Sequence, residues 1–492
     1  MLRRCVPWLV ALAAALHAAS YLGHGPCDDD YITYRYARNL VEGHGLVFNP
    51  GERVEGFSAP GWMLAVAGAL KLGLEPALFS VAVSIAAAGL TSWFVARLWL
   101  RRHERDVWAF PAWLVAASPA LAWHSIIGLG TVLLAALVAW AFDAWDRSLR
   151  DHKASTTAAL AFGLAALVRN EAILLALPYV ASELRRKRWT AAALALAPLA
   201  AWQAFRLSYY GRLVPITYSV KKLALADDLA LGLEYVRAAS GSSGLLVGLA
   251  LGLVALARVA RHPSAPLRGA CVGAVTFTGY VIYVGGDFMP HARFLVPIFP
   301  LVAWIGSEGL LALGPPRLLC WAAALAALAW NQVGQGLRSE LRAVHEDSER
   351  RWEAMGRELA LRVAPDTKVA LAPIGAFGWV SRLPIVDLLG LTNTAIANAA
   401  PDPEITIKGH TRYDADWVLA QRPEIIVIGN GWVHPSADGS RTLVASAWEK
   451  TLVTHPRFQS EYLPLQMEIS GSYPLIFYWR RDLERPSWAR DV

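Results

Sequence analysis

The chain has 492 residues, of which 55% are hydrophobic and only 17% charged. No single water-soluble core of this length needs so much apolar surface, so a soluble globular protein is excluded and a polytopic, mostly α-helical membrane protein is implied. The formal net charge of +7 invites a nucleic-acid reading, but the basic residues arrive as short clusters between apolar runs, as a membrane topology signal would place them, so nucleic acid is set aside as a partner.

The opening MLRRCVPWLVALAAALHAAS has the basic start and apolar middle of a signal peptide, but the apolar runs that follow make an uncleaved first span the better reading. Runs fall near 5–23, 77–98, 108–124, 129–146, 154–169, 171–183, 189–206, 243–258, 268–285, 295–313 and 317–333. Judged against ~30 Å of hydrocarbon they predict about eleven crossings. The run GWMLAVAGALKLG at 61–73 is short and carries Lys71, which predicts an interfacial or re-entrant segment. With Arg3 and Arg4 in the cytoplasm, this count puts Arg101, Arg102, Arg105, Arg147, Arg150, the cluster 185–188, Arg258, Arg261 and Arg317 on the same side, as the positive-inside bias requires.

The expected organisation is a transmembrane domain over 1–334, with a first extracytoplasmic loop at 24–60, and a small extracytoplasmic α/β domain over 335–492. In the latter, the charged stretch LRSELRAVHEDSERRWEAMGRELALRV predicts a helix, TKVALAP, RLPIVDLLGL and PEIIVIGN predict strands, and DADWVLAQ a helix between them. Four scattered cysteines, Cys5, Cys27, Cys271 and Cys320, show neither zinc nor redox spacing.

The stretch CDDDYITYRYARN at 27–39 sets three acids at the edge of the first apolar run. Ile32, Tyr36, Leu40 and Val41 recur at helical spacing, Gly43 and Gly45 can end the helix, and FNPGE at 48–52 is a turn, so the acids sit at the N-terminus of an amphipathic interfacial helix. Asp30 or a neighbour is expected to cap it, which favours negative charge there. One cap does not need three carboxylates, and adjacent carboxylates repel, so the excess points to a site.

The segment DDDYITYRYARNLVEGHGLVFNPGERVEGFSAPGW resembles the first extracytoplasmic loop of integral-membrane GT-C glycosyltransferases, in the branch of the terminal arabinofuranosyltransferase AftB. LVRNE at 167–171, YYGRLVPITYSVKK at 209–222, VGGDFMPHARFLVP at 284–297 and GAFGWVSRLPIVDLLGLTN in the tail match in order along essentially the whole chain. Two positions depart from the family pattern: Asp30 stands where Ala is usual, and Gly130 in IIGLGTVLL stands where Glu is usual.

The resemblance implies transfer of a sugar, arabinofuranose in that branch, from a polyprenyl-phosphate donor to a cell-envelope glycan acceptor, with inversion, on the outer face of the inner or plasma membrane. The residues suit such chemistry. An attacking hydroxyl needs a base, for which Asp28 and Asp29 are the candidates. The departing lipid phosphate needs cations, for which Arg293, His291, Lys221, Lys222, Arg169 and Arg35 are candidates. Glu171, Asp287, Tyr218 and Trp62 are candidates for substrate contact. The structural alternatives are an ion pair of Glu171 with Arg169 or Arg293, an orienting Asp287, interfacial anchoring by Arg293, His291 and Trp62, and headgroup contact by Lys221 and Lys222. Asp28, Asp29 and His24 could approach a divalent ion, but flexible loop residues are a weak metal motif, so neither metal nor other cofactor is expected. A flippase for lipid-linked sugars, or an inactive scaffold that lacks the carboxylate at 130, are the competing readings; the flippase reading lacks the internal repeats and mid-membrane broken charged helices common in transporters.

Overall fold

The computed structural model describes residues 2–492 apart from 24–25, 105, 107, 152, 154, 244, 259–263, 315–338, 403–404, 406–407, 430–432, 436–440, 444–445 and 470–473. The expected run 317–333, and with it Arg105, Arg261, Arg317, Cys320 and His24, lie outside the described residues.

The helical part runs α1 (Leu2–Ala19), α2 (Asp28–Val41), α3 (Pro60–Lys71), α4 (Pro76–Arg102), α5 (Phe110–Ala116), α6 (Pro119–His124), α7 (Thr131–Arg150), α8 (Thr156–Val168), α9 (Ile173–Arg185), α10 (Trp189–Tyr210), α11 (Ile216–Lys221), α12 (Leu225–Ser243), α13 (Leu245–Arg258), α14 (Ala265–Tyr283) and α15 (Phe299–Ala312). A 3-10 turn over Arg293–Ile298 leads into α15. In α1, Val6, Val10, Ala14 and Ala18 recur every fourth residue and are buried, forming the face that meets α4. Trp8 and Leu16 on the other side are 65% and 61% exposed. An outward face this apolar suits hydrocarbon rather than water.

Among the described residues, three helical segments are long and apolar enough to cross a membrane: Pro76–Arg102, Ala265–Tyr283 and Arg293–Ala312. A fourth is reached if Leu225–Ser240 and Leu245–Ala257, bent by 85°, form one broken span. The expected count of about eleven is not met by this measure. The run 108–124 breaks between α5 and α6, and α8 and α9 have 13 residues each. At 1.5 Å per residue such helices reach about 20 Å, short of the hydrocarbon thickness. The segment at 61–73 forms a helix of 12 residues.

The tail opens with α16 (Ser339–Ala360), followed by α17 (Gly375–Ser381), α18 (Thr394–Asn398), α19 (Ala415–Ala420), α20 (Ala447–Val453) and α21 (Pro456–Glu461). Its strands are β1 (Val369–Leu371), β2 (Ile385–Asp387), β3 (Ile425–Ile426), β4 (Val433–Pro435), β5 (Arg441–Leu443), β6 (Tyr462–Met467), β7 (Leu475–Arg480) and β8 (Arg490–Asp491). Six of them form one sheet in the order β2-β1-β3-β7-β6-β8, and β4 pairs with β5. β1 pairs in parallel with β2 and β3, and the remaining pairs are antiparallel. β1, β2 and β3 are buried along their whole length, consistent with covered parallel strands. One hydrophobic cluster joins Tyr34 and Tyr36 of α2, Trp62 of α3, Phe377 of α17 and the sheet residues Val369, Ile385 and Phe477. The sheet domain and the first loop therefore share a core.

Candidate active site

The N-terminus of α2 projects its acids in three directions. Cys27, not Asp30, is the N-cap residue; Asp30 occupies the third helical position, and its carboxylate accepts from the Cys27 amide at 2.9 Å to close a capping box. The same Oδ2 accepts from the Gly128 amide at 2.9 Å, tying α2 to the loop before α7. Asp30 is fully buried, and burial pushes its carboxyl up to about 7 despite these two N–H donors. Asp28 points the other way. Its two oxygens accept from the Gly375 and Ala376 amides at 3.0 and 2.7 Å, at the start of α17. Burial pushes Asp28 up to about 7 as well. Asp29 makes no hydrogen bond or ion pair among the described residues and faces a cavity of about 1320 Å³, which Asp28 also lines.

The first loop is fastened to the tail domain by a second set of bonds. Arg35 donates to the carbonyls of Phe48, Gly378 and Leu383, each at 2.8 Å, and to Asn49 Oδ1 at 3.1 Å. Asn49 in turn accepts from the Ile385 amide at 3.1 Å and donates to its carbonyl at 2.8 Å, as a neighbouring strand would. All the bonds that Arg35 makes are to the fold, and it is absent from the cavity wall; its expected place among the phosphate-binding cations is corrected to a clamp between loop and domain. Farther along, Glu55 and Arg206 form a buried bidentate pair at 2.6 and 3.1 Å, and the Glu55 carbonyl accepts from the Ile216 amide at the start of α11.

That contact sets the height of α11, whose last residue is Lys221. Lys221, Lys222, Arg169, Arg293 and Lys408 line one wall of the cavity. Four of them are paired: Arg293 with Asp287 at 2.5 Å, Lys222 and Lys408 with Asp228 at 2.7 and 2.6 Å, and Arg169 loosely with Glu171 at 3.8 Å. Lys221 has no ion pair among the described residues. Burial pulls its ammonium below the usual lysine value, while Asp287 and Asp29 oppose that shift. Burial alone would raise the Asp287 carboxyl, but Arg293 and Lys221 together hold it below the usual carboxylate value. Asp287 sits behind Arg293 and is not part of the wall, whereas Glu171 and Tyr218 are. His291 is half-buried against Trp123, with ring centroids 5.4 Å apart, and does not line the cavity.

Trp62 does not face the cavity either. Its indole is fully buried, donates to the Gly128 carbonyl and stacks on Phe79, so the expected sugar-stacking or anchoring role is corrected to core packing. Its ring also explains Gly130. That residue has φ of +71°, and a Cβ there would lie 2.9 Å from Trp62 Cγ, so the position where the resemblance leads one to expect Glu has no room for a side chain. A second glycine requirement arises at Gly285 and Gly286, with φ of +76° and +69°; a Cβ at Gly285 would strike the Lys408 ammonium.

Sequence reasoning missed the contribution of the tail domain. Lys408, His410 and Trp448, with Glu349, Trp352 and Glu353 of α16, all line the cavity. Burial, and then the charge of Asp28, push Glu349 up to about 7. Lys408 and His410 lie in the polar stretch PEITIKGHTRYD, where no helical or strand periodicity marks them out. Among the described residues no group of three His, Cys, Asp or Glu side chains is placed to hold a metal ion.

A family model described as a domain of unknown function (DUF8728) matches residues 339–478. The chain is 32% identical over 343 residues to the terminal β-(1→2)-arabinofuranosyltransferase of Corynebacterium glutamicum, covering 60% of this chain and 50% of that protein. It is 30% identical over 347 residues to the protein of the same name from Mycobacterium tuberculosis, covering 61% and 55%. The chain thus spans about half the length of the curated relatives it matches. Among solved structures it is similar to ArnT from Cupriavidus metallidurans in the apo state, with a TM-score of 0.56 and 12% identity over 97% of this chain and 98% of that one, a likeness of fold.

Proposed function

We propose that the chain is an integral-membrane glycosyltransferase of the GT-C type that moves a pentose, arabinofuranose by its likeness to the named relatives, from a polyprenyl-phosphate donor to a hydroxyl of a cell-envelope glycan. The observation that carries this reading is a carboxylate, Asp29, that has no hydrogen bond or ion pair among the described residues, sharing one cavity with an ammonium, Lys221, that has no ion pair among them. The acceptor hydroxyl loses its proton to Asp29 as its oxygen attacks the anomeric carbon. The bond from that carbon to the phosphate oxygen breaks on the opposite face, inverting the centre, and its electron pair leaves with the polyprenyl phosphate. Lys221 meets the growing phosphate charge, with Arg293, Lys222 and Arg169 around it. Asp28 acts as a positioning residue that fixes α2 to α17. The apolar residues Ile173, Leu174, Leu196 and Leu199 on the same cavity suit the isoprenoid chain. No divalent ion is written into this reaction, because the protein's own cations supply the charge. The cavity opens on the extracytoplasmic side, with the N-terminus inside, about eleven crossings and the tail domain outside.

The experiment is release of polyprenyl phosphate by the purified full chain in lipid nanodiscs, given polyprenyl-phosphate arabinofuranose and a synthetic oligoarabinofuranoside. Lys221→Met is expected to lower donor kcat/KM by about a hundredfold, as loss of a charged donor aimed at a developing charge does. Movement of the lipid-linked sugar between leaflets without its transfer would overturn the reading in favour of a flippase.

A further inference from the structure

A second feature of the cavity is independent of its charged wall. Phe288, from the loop after α14, stands 51% exposed at the rim. Its ring meets His410 edge-on with centroids 6.0 Å apart, and His410 in turn lies 5.1 Å from Trp448 of α20. Three separate parts of the chain thus bring three flat side chains to one corner, and all three line the cavity. The indole Nε1 of Trp448 is buried and has no hydrogen-bond partner among the described residues, and the same is true of Trp352 Nε1 on α16.

A buried N–H left without an acceptor costs about 1–3 kcal/mol, and these two belong to residues that line the cavity, where an entering ligand can supply the acceptor. An aromatic face with an N–H at its edge fits a ligand that is apolar across its ring and hydroxylated around it. A sugar has that make-up, whereas an isoprenoid chain offers no hydroxyl and a phosphate no apolar face. His410 also shares the cavity with Asp29 and Lys221, whose charges act on its ring.

We infer that the corner formed by Phe288, His410 and Trp448 is the subsite for a sugar ring of the acceptor glycan, placing the ring so that its free hydroxyl reaches Asp29. This assignment rests on the transfer reaction proposed above and adds to it that the tail domain takes part in acceptor selection. The donor phosphate is met by Lys221, Arg293, Lys222 and Arg169 of the helical part, while the acceptor corner combines Phe288 of that part with His410 and Trp448 of the tail.

The test compares the full-length wild type with Trp448→Ala and Trp448→Phe in nanodiscs, varying the oligoarabinofuranoside at saturating donor and then the reverse. Trp448→Phe keeps the ring and removes the N–H, and a lost neutral hydrogen bond is expected to raise the acceptor KM about fivefold. Trp448→Ala is expected to raise it about tenfold or more, with the donor KM changed by less than about twofold. If Trp448→Ala does not fold, Trp448→Phe alone carries the comparison. A donor KM that moves while the acceptor KM stays would give this corner to the donor sugar, and two unchanged values would leave it without a substrate; either overturns the assignment. If the wild type releases no polyprenyl phosphate, the transfer reaction itself falls. Calorimetric binding of the same oligosaccharide then decides the subsite by itself: weaker binding to Trp448→Phe supports it, and absent or equal binding overturns it.

Discussion

Replacing Asp29 by asparagine changes one atom and removes the only charge the side chain carries. Because Asp29 makes no hydrogen bond among the described residues, the substitution orphans no donor. It relieves repulsion with Asp28 and Asp30 and gives up attraction to Arg293 and Lys221, opposing changes that leave the fold nearly unaltered. Catalysis by the proposed reaction is different, because an amide cannot take the proton of the attacking hydroxyl. A positioned general base is worth about 10²–10⁴-fold in rate, so kcat is expected to fall by that factor, about 3–5 kcal/mol in the barrier. The assay is single-turnover release of polyprenyl phosphate, with Tm measured on the same preparation as a control. Asp28→Asn runs beside it: the amide keeps one of the two backbone contacts to α17 and is expected to slow turnover by less than about tenfold, since it acts through position rather than through the proton. If Asp28→Asn is as slow as Asp29→Asn while its Tm is unchanged, the division of labour between the two residues is wrong. If Asp29→Asn retains full activity, the site assignment fails.

The remaining predictions concern the frame around that residue. Asp30 has its carboxyl raised from an ordinary value near 3.8 to about 7, so its stabilising contribution is fully present below pH ~4 and is lost as pH rises through ~7, by at most about 4 kcal/mol. Apparent Tm is therefore expected to fall between pH 5 and 8, and Asp30→Asn to flatten that slope; an unchanged slope would refute the account. Glu55→Gln leaves the Arg206 guanidinium buried beside a neutral amide and is expected to destabilise by about 3–5 kcal/mol, visible as a lower Tm in detergent. Gly130→Glu must displace Trp62 and adopt a left-handed backbone, so it is expected to lower Tm and yield rather than restore a working carboxylate; a variant as stable as the wild type with higher turnover would contradict the packing described.

How much of this was readable from sequence follows from the range of the contacts. The acids at 28–30 and their helix are local, and helical spacing together with Gly43 and Gly45 was enough to place them. Lys221, Lys222, Arg169 and Arg293 were likewise picked out as cations in segments expected outside the membrane, and all four line the cavity. Arg35 was misassigned because a cation on an interfacial helix looks like a ligand for phosphate until its carbonyl partners, more than three hundred residues away, are known. Trp62 was misread for a related reason: a tryptophan after a Pro-Gly turn is ambiguous until the Gly128 carbonyl is found beneath it. Hydropathy read 108–124 as one unbroken run, because it cannot see the break between α5 and α6 that a proline at the start of the second helix permits. His410 and Trp448 had no periodic or motif context, and only the fold brings them to the cavity.

The bonds from Asp28 to Gly375 and Ala376 join residues 347 and 348 positions apart. A ribosome making this chain inserts every helix through α15 before the amides that fasten the acidic helix exist. Until the tail is made, α2 is held through Asp30 and the Gly128 amide, and the two bonds of Asp28 close last.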